Sequence, residues 1–127
     1  MKKQNYKKYD FIFNEGTYGD SAYMIDFGKV GIISLTNQKD KRKLIATLKK
    51  DDIFGEMGLI DNKVRTATAI ALEETQVSVI SKKTFDYLLK HDPLALRPLI
   101  KVLSHRLRNT TNLLQEYSRM PLLNANH

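Results

Sequence analysis

A glycine, a glutamate and an arginine in the middle of the chain are the residues whose types and spacing best support chemistry. Gly55 and Glu56 precede a short apolar segment, and Arg65 follows nine residues after the glutamate. A loop that turns into a short helix presents unpaired backbone N–H groups, and an arginine facing them can bind an anionic group. The glutamate repels phosphate but accepts a hydrogen bond from a hydroxyl. These residues therefore predict a pocket for a molecule with both a phosphate and a sugar hydroxyl.

Length and composition predict a single domain, residues 1–127. A chain of 127 residues can bury its own core, and its apolar (42%) and charged (28%) shares are typical of soluble globular proteins. The absence of cysteine excludes disulfides, thiolate nucleophiles and cysteine-ligated metal sites. No apolar run is long enough to span a membrane or to form a signal core, so a cytoplasmic location is expected.

The net charge of +7 raises the question of a nucleic-acid partner. Lysines and arginines are spread along the chain, with local density over residues 2–8, 39–50 and 97–108. A nucleic-acid binder concentrates them on one element beside base-reading or stacking side chains. We therefore interpret the charge as a solvated basic surface and expect no nucleic-acid partner. The charge would still speed the arrival of an anionic ligand.

Short strands separated by turn residues are predicted over residues 9–80. The predicted strands are 9–13, 22–27, 29–35, 43–48, 66–72 and 75–80, with a hairpin loop at 36–41. Many short strands at regular spacing indicate a sandwich or a jelly roll. The predicted fold is mainly β with flanking helices (α+β): a β-roll or jelly-roll barrel over about 9–80, followed by C-terminal helices over about 81–118.

Helical periodicity begins at Ser81, which we predict to cap a helix at its N-terminus. Asp92 and Pro93 predict a second helix start, a capping aspartate with proline at the first helical position. Pro98 should kink or restart that helix near its beginning. The tail from 121 to 127 is expected to be frayed. The long helix carries apolar residues at three- and four-residue steps, apart from a gap at Thr110: Leu96, Leu99, Leu103, Leu107, Leu114 and Tyr117.

The central segment also resembles a known family motif. Its matching residues are Phe54-Gly55-Glu56, Leu59-Ile60 and Arg65-Thr66-Ala67-Thr68. Upstream, the family pattern matches Ile12-Phe13-Asn14-Glu15-Gly16, Gly19-Asp20, Tyr23, Ile25, Gly28 and Val30. The chain resembles the cyclic nucleotide-binding domains of the catabolite activator protein, kinase regulatory subunits and gated channels, over about residues 9–118. It looks most like the bacterial members, and we expect a stand-alone domain because no helix-turn-helix, kinase or channel segment follows the last helix.

Two positions depart from the family pattern. Lys50-Asp51 stands where a glycine is usual before the phosphate-binding cassette, as the family motif matched by residues 54–68 is called. Val64 stands where proline often precedes the arginine. Both departures concern local turn geometry, because neither position touches the ligand in the family.

The resemblance implies a role for each residue of the cassette. Arg65 would pair with a cyclic phosphate and Glu56 would accept a hydrogen bond from the ribose 2′-hydroxyl. Thr66 could reach a guanine held syn, which would favour cyclic GMP, but bacterial members that prefer cyclic AMP also carry Ser or Thr here. Cyclic AMP is favoured as the ligand, cyclic GMP stays possible, and no further cofactor is expected. The predicted ligand-binding residues are Phe54, Gly55, Glu56, Met57, Gly58, Leu59, Arg65, Thr66 and Ala67.

Simpler interpretations remain open for each feature. Arg65 could pair with a surface carboxylate, and Glu56 could be a helix-start carboxylate that complements the helix dipole. The apolar stripe of the last helix could be core or dimer interface, whereas the resemblance implies a mobile lid that closes over the purine. Which residue of that helix meets the base is not fixed by the spacing.

The predicted function is a non-catalytic sensor that binds a cyclic nucleotide and repositions its C-terminal helix to regulate a protein partner or a homodimer. No catalytic residue is proposed, because no Ser-His-Asp set or paired carboxylates are recognisable. His91, His105 and His127 lack ligand-like spacing, so no metal site is expected. The alternatives are an interaction module that kept the fold without the ligand, a nucleic-acid binder and an enzyme. The chain could also be part of a longer regulator.

Overall fold

The computed structural model describes residues 1–35, 42–61 and 63–119. Eight strands come first in the chain: β1 (Lys2–Tyr6), β2 (Phe11–Phe13), β3 (Ser21–Phe27), β4 (Val30–Leu35), β5 (Arg42–Leu48), β6 (Ile53–Phe54), β7 (Thr68–Ala71) and β8 (Thr75–Ser81). A 3-10 helix, Glu56–Leu59, lies between β6 and β7. After β8 come α1 (Lys82–His91), a second 3-10 helix (Pro93–Leu96) and α2 (Arg97–Ser118).

The strands form two antiparallel four-stranded sheets. The first sheet has the order β1-β8-β3-β6 and the second has the order β2-β7-β4-β5. One core cluster joins the two sheets through Ile25, Val30, Phe54, Ala69 and Val77. The predicted fold class, mainly β with flanking helices, is therefore confirmed.

A second core cluster joins the first sheet to the helices. Successive side chains of a strand point to opposite faces, so residues of β3, β6 and β8 also reach the side of that sheet away from the second sheet. There Ala22, Ile53 and Ile80 pack with Leu59 and with Leu99 of α2. The apolar face of α2 thus packs beside the segment that carries the cassette. No helix in the described part of the chain is long and apolar enough to cross a membrane.

The roll begins earlier than predicted, at β1. This strand was missed because its first residues are polar and lack a buried alternating pattern. It pairs with β8 in register from Lys2 to Tyr6. Its Lys3 Nζ lies 3.1 Å from Asp26 Oδ2 and donates to Ser78 Oγ at 2.6 Å. Ladder hydrogen bonds and a polar cluster therefore hold most of β1, and Tyr6 at its end packs against the core cluster between the sheets.

The predicted helix starts are confirmed in part. Ser81 Oγ accepts a hydrogen bond from the Thr84 N–H at 3.1 Å, so the predicted N-cap is confirmed. The second helix start is also confirmed, since Asp92 is the N-cap residue of the 3-10 helix and Pro93 is its first residue. The Asp92 side chain, however, makes no capping hydrogen bond, and the Asp92 N–H donates to Leu88 O at the end of α1. Pro98 is the second residue of α2, so the helix restarts there and is not kinked in its interior. The predicted hairpin loop at 36–41 and the frayed tail at 121–127 lie outside the described residues.

The turn at Lys50-Asp51 keeps the conformation that a glycine would adopt. Asp51 has a φ of 73°, in the left-handed region that favours glycine. Its N–H donates to Ile25 O at 2.8 Å, and Asp52 N–H donates to Lys49 O at 3.0 Å. The departure from the family pattern therefore changes the residue and not the backbone path.

We expect Asp51→Gly to raise the free energy of unfolding by about 0.5–1 kcal/mol. Glycine relieves the left-handed strain, and its greater freedom in the unfolded state offsets part of that gain. Lys50→Gly is the matched control, because Lys50 does not have a positive φ and glycine there only adds unfolded-state entropy. In urea denaturation, the free energy of unfolding should rise in Asp51→Gly and fall in Lys50→Gly. Equal destabilisation by both would contradict this interpretation of the turn.

Candidate functional site

A cavity of about 580 Å³ lies beside the 3-10 helix Glu56–Leu59. Its volume is in the range of small-molecule sites in proteins. One wall is apolar and comes from β4 and β5, and five charged residues lie among the apolar and small residues of the rest. The lining residues are Phe13, Ile32, Ala46, Leu48, Phe54, Gly55, Glu56, Met57, Gly58, Asp61, Lys63, Val64, Arg65, Thr66, Ala67 and Arg106.

Eight of the nine predicted ligand-binding residues line this cavity. The exception is Leu59, whose side chain is 2% exposed and packs in the core with Ala22 and Leu99. Leu59 therefore anchors the 3-10 helix to the core, and only its backbone remains a candidate for ligand contact. The roles predicted for the other eight residues stay predictions.

Arg65 is buried at the wall of the cavity, with 7% exposure. Its backbone is fixed to the β2–β3 loop, since the Arg65 N–H donates to Thr17 O and the Gly16 N–H donates to Arg65 O, both at 2.8 Å. The guanidinium donates from Nη1 to Gly55 O at 2.9 Å and from Nη2 to Ser21 O at 2.8 Å. Among the described residues, its Nε has no hydrogen-bond partner and Arg65 forms no salt bridge. A buried positive charge is thus held by neutral groups.

Three glycines make room for the guanidinium. A Cβ on Gly19 would lie 2.7 Å from Arg65 Nε, and one on Gly55 would lie 3.0 Å from Nη1. A Cβ on Gly58 would lie 2.9 Å from Nη1 and 2.6 Å from the backbone oxygen of Gly19. Gly55 also has a φ of 72°, which favours glycine in its own right. The close approach of Arg65 therefore favours glycine at these positions, and turn geometry favours it at Gly55 as well.

We expect Gly58→Ala to lower the free energy of unfolding by about 2–3 kcal/mol, because the new methyl group meets a fixed backbone oxygen. Gly31→Ala is the matched control. Its Cβ would meet only leucine methyl groups at 3.1–3.3 Å, which can move, so a loss below about 1 kcal/mol is expected. Thermal unfolding of the two variants compares them directly. If Gly58→Ala is as stable as Gly31→Ala, the backbone near the 3-10 helix shifts to accommodate the methyl group, and the prediction is wrong.

Glu56 is 6% exposed and forms a salt bridge with Arg106 of α2. Arg106 Nη1 contacts Glu56 Oε1, and Nη2 donates to the backbone oxygen of Ile53. Burial lowers the pKa of Arg106, and the charge of Asp52 acts in the opposite direction. Glu56 is also the first residue of the 3-10 helix, as expected of a helix-start carboxylate. The cassette and α2 therefore meet at one ion pair.

Several lining residues were missed by sequence reasoning, although signals for some exist. Arg106 follows Leu99 by seven residues and Leu103 by three, which places it on the core-facing side of α2. Ile32, Ala46 and Leu48 lie on the inward faces of β4 and β5, in positions that strand alternation predicts once the fold is known. The other missed lining residues are Phe13, Asp61, Lys63 and Val64. Asp61, Lys63 and Val64 precede β7 in a loop whose path carries no clear sequence signal. Phe13 is the last residue of β2, and its only sequence signal was its match to the family pattern.

The described residues contain no group of three or more His, Asp or Glu side chains arranged to hold a metal ion. His127, one of the three histidines considered from the sequence, lies outside the described residues.

The family model of the cyclic nucleotide-binding domain matches residues 3–92. The chain belongs to this family. The cyclic AMP receptor protein of Thermus thermophilus is 32% identical over 97 residues, which are 76% of this chain and 44% of that protein. Human cGMP-dependent protein kinase 2 is 39% identical over 88 residues, which are 68% of this chain and 11% of the kinase. The resemblance inferred from the cassette is confirmed.

Solved structures share the fold. The catabolite activator protein of Thermus thermophilus superposes with a TM-score of 0.78 at 29% identity, over 92% of this chain and 55% of that chain. The cGMP-bound form of EAL enzyme Bd1971 superposes with a TM-score of 0.65 at 31% identity, over 91% of this chain and 30% of that one. A cAMP-bound form of the same enzyme is also similar. The chain thus spans about half or less of these relatives.

Proposed function

We propose that this chain is a single-domain, non-catalytic sensor that binds a 3′,5′-cyclic nucleotide, with cyclic AMP preferred over cyclic GMP. Binding would reposition α2 and so regulate a protein partner or a second copy of the chain in the cytoplasm. The observation that carries the proposal is the buried guanidinium of Arg65, which forms no salt bridge within the described residues and lines the same cavity as Glu56.

The charges of the cavity suit the cyclic phosphate and the neighbouring ribose hydroxyl of a cyclic nucleotide. An uncompensated buried cation attracts an anion strongly, because little water screens the interaction. The planar guanidinium can meet two phosphate oxygens once it exchanges its carbonyl contacts or uses its remaining N–H groups. Glu56 has a second carboxylate oxygen, Oε2, to accept a hydrogen bond from a ribose hydroxyl. The apolar wall of Ile32, Ala46 and Leu48 suits the face of a purine.

The same geometry suggests how binding would reach α2. Arg106 Nη1 contacts Glu56 Oε1, so a hydroxyl hydrogen-bonded to this carboxylate changes the charge distribution that holds Arg106. Any difference in ligand affinity between two positions of α2 shifts the population between them. The exposed residues Leu107 and Leu114 farther along α2 would then present or withdraw an apolar surface.

The preference for cyclic AMP rests on similarity. The Thermus relative, named for cyclic AMP, aligns with a larger share of this chain than the kinase named for cGMP. Thr66 lines the cavity and keeps a hydroxyl available for a guanine, so binding of cyclic GMP with lower affinity is expected.

Calorimetric titration of ligand-free protein tests the proposal. Heat is expected with cyclic AMP and, at higher concentration, with cyclic GMP, whereas 5′-AMP should bind far more weakly because its phosphate is not closed into a ring through the 3′-oxygen and so is not held beside the ribose. No heat with either cyclic nucleotide at high micromolar concentration would overturn the proposal. It would favour an interaction module that kept the fold without the ligand.

A further inference from the structure

Two aromatic rings lie against the guanidinium of Arg65. Arg65 Cζ is 4.3 Å from the ring centroid of Phe13 on β2 and 5.9 Å from that of Tyr23 on β3. The two ring centroids are 5.8 Å apart with a tilt of 38°. Phe54 supports both rings, stacked on Tyr23 at 5.2 Å and 6.0 Å from Phe13. We call Phe13 and Tyr23 the aromatic platform.

We propose that the aromatic platform positions Arg65 for the anion, with Phe13 as the principal positioning residue. This inference rests on the proposed function, because it assigns the platform to binding of the ligand phosphate. The face of an aromatic ring attracts a guanidinium by its quadrupole, and more strongly when water is excluded. Phe13 also lines the cavity, which sequence reasoning did not assign to it.

An aromatic ring does what a carboxylate in its place could not. A carboxylate would neutralise Arg65 and compete with an incoming phosphate for the same N–H groups. The ring face stabilises the cation but accepts no ion pair, so the full positive charge stays available to the ligand. The unpartnered, buried Nε agrees with this, since no described acidic group has taken that N–H. The platform thus shields the Arg65 guanidinium from water and fixes its orientation without neutralising its positive charge.

The pKa of the Tyr23 hydroxyl agrees with this arrangement. Burial raises the pKa of the Tyr23 hydroxyl, and the positive charge of Arg65 opposes that rise. The hydroxyl and the guanidinium therefore act on one another across the platform. The rings come from two neighbouring parts of the roll, so the position of Arg65 depends on how β2 and β3 pack and not on the cassette alone.

The test uses the whole chain and two measurements. In ligand-free protein, the NMR signal of the Arg65 Nε–Hε group, assigned by its loss in Arg65→Lys, should lie upfield of exposed arginines because of the ring current. Phe13→Leu keeps an apolar side chain but removes the ring, so the signal should move downfield. Affinity for cyclic AMP should then fall about 2- to 30-fold. Tyr6→Leu is the control, because Tyr6 packs against the same core cluster and is absent from the cavity lining.

A second series separates the ring's charge distribution from its shape. Mono-, di- and trifluorinated phenylalanine at position 13 keep the ring in place while weakening its negative face, so affinity for cyclic AMP should fall stepwise. Constant affinity across the series, or an Arg65 signal that Phe13→Leu does not move, would overturn the role of the platform. If wild-type protein binds neither cyclic nucleotide, the proposed function fails, while the NMR signal still decides whether Phe13 positions Arg65.

Discussion

Arg65→Ala should weaken binding of cyclic AMP by about thirty- to several-thousand-fold. Removing one partner of a buried charged contact costs about 2–5 kcal/mol, which corresponds to that range of affinity. The upper part of the range is expected here, because Arg65 is 7% exposed and forms no salt bridge with a described residue. Arg65→Lys should lose a smaller part of the affinity, since it keeps the charge without the planar fork. Calorimetric titration of each variant measures the loss.

Arg108→Ala is the matched control for this prediction. Arg108 is exposed on α2 and absent from the cavity lining, so its removal changes the net charge equally without touching the site. Its affinity should stay within a few-fold of wild type, the difference reflecting long-range attraction alone. Similar losses in Arg65→Ala and Arg108→Ala would mean that general charge attracts the ligand and that Arg65 has no special role.

Arg106→Ala should lower the free energy of unfolding by about 1–3 kcal/mol. The substitution leaves the buried carboxylate of Glu56 without its partner, which costs about 3–5 kcal/mol for a fully buried pair. The Arg106 side chain is 43% exposed, so solvent screening reduces the expected loss. Urea denaturation measures the change. Lys101→Ala, an exposed substitution on the same helix, should change stability by less than about 0.5 kcal/mol.

A double-mutant cycle shows whether the ion pair is responsible. In a Glu56→Gln background, Arg106→Ala leaves no buried carboxylate without a partner. It should therefore lower the free energy of unfolding clearly less than in wild type. Hydrogen exchange then tests the coupling to ligand. Cyclic AMP should change the exchange of α2 in wild type, and that change should be much smaller in Arg106→Ala although ligand still binds. An undiminished response of α2 would place the coupling elsewhere than at Glu56 and Arg106.

The fold was predictable wherever local patterns agree with tertiary structure. Alternating residues of β3, β4 and β8 bury one face in the core between the sheets, and Ser81 caps α1 as its position before a helical pattern indicates. The polar strand β1 was not predicted, because its pairing with β8 is a long-range contact and its own residues carry no strand pattern. Asp92 occupies the predicted N-cap position without its expected hydrogen bond, because a capping residue type does not determine which hydrogen bond its side chain makes.

The site was predictable as a motif but not as an arrangement. The spacing from Gly55 to Arg65 located the cassette, and the cavity lies there. The contacts of Arg65 with Ser21, Phe13 and Tyr23 join residues more than forty positions apart, which spacing cannot reveal. The contact between Arg106 and Glu56 likewise depends on how α2 packs on the first sheet. Sequence therefore identified the groups with the chemistry, and tertiary packing determines which charges are compensated.

In the proposed function, Arg65 binds the cyclic phosphate and Glu56 binds the ribose hydroxyl of one ligand. A crystal structure of the protein grown with excess cyclic AMP tests this directly. We expect electron density for the nucleotide inside the cavity, with the cyclic phosphate at the Arg65 guanidinium and the ribose hydroxyl at the Glu56 carboxylate. An empty cavity, or a nucleotide bound away from Arg65, would contradict it.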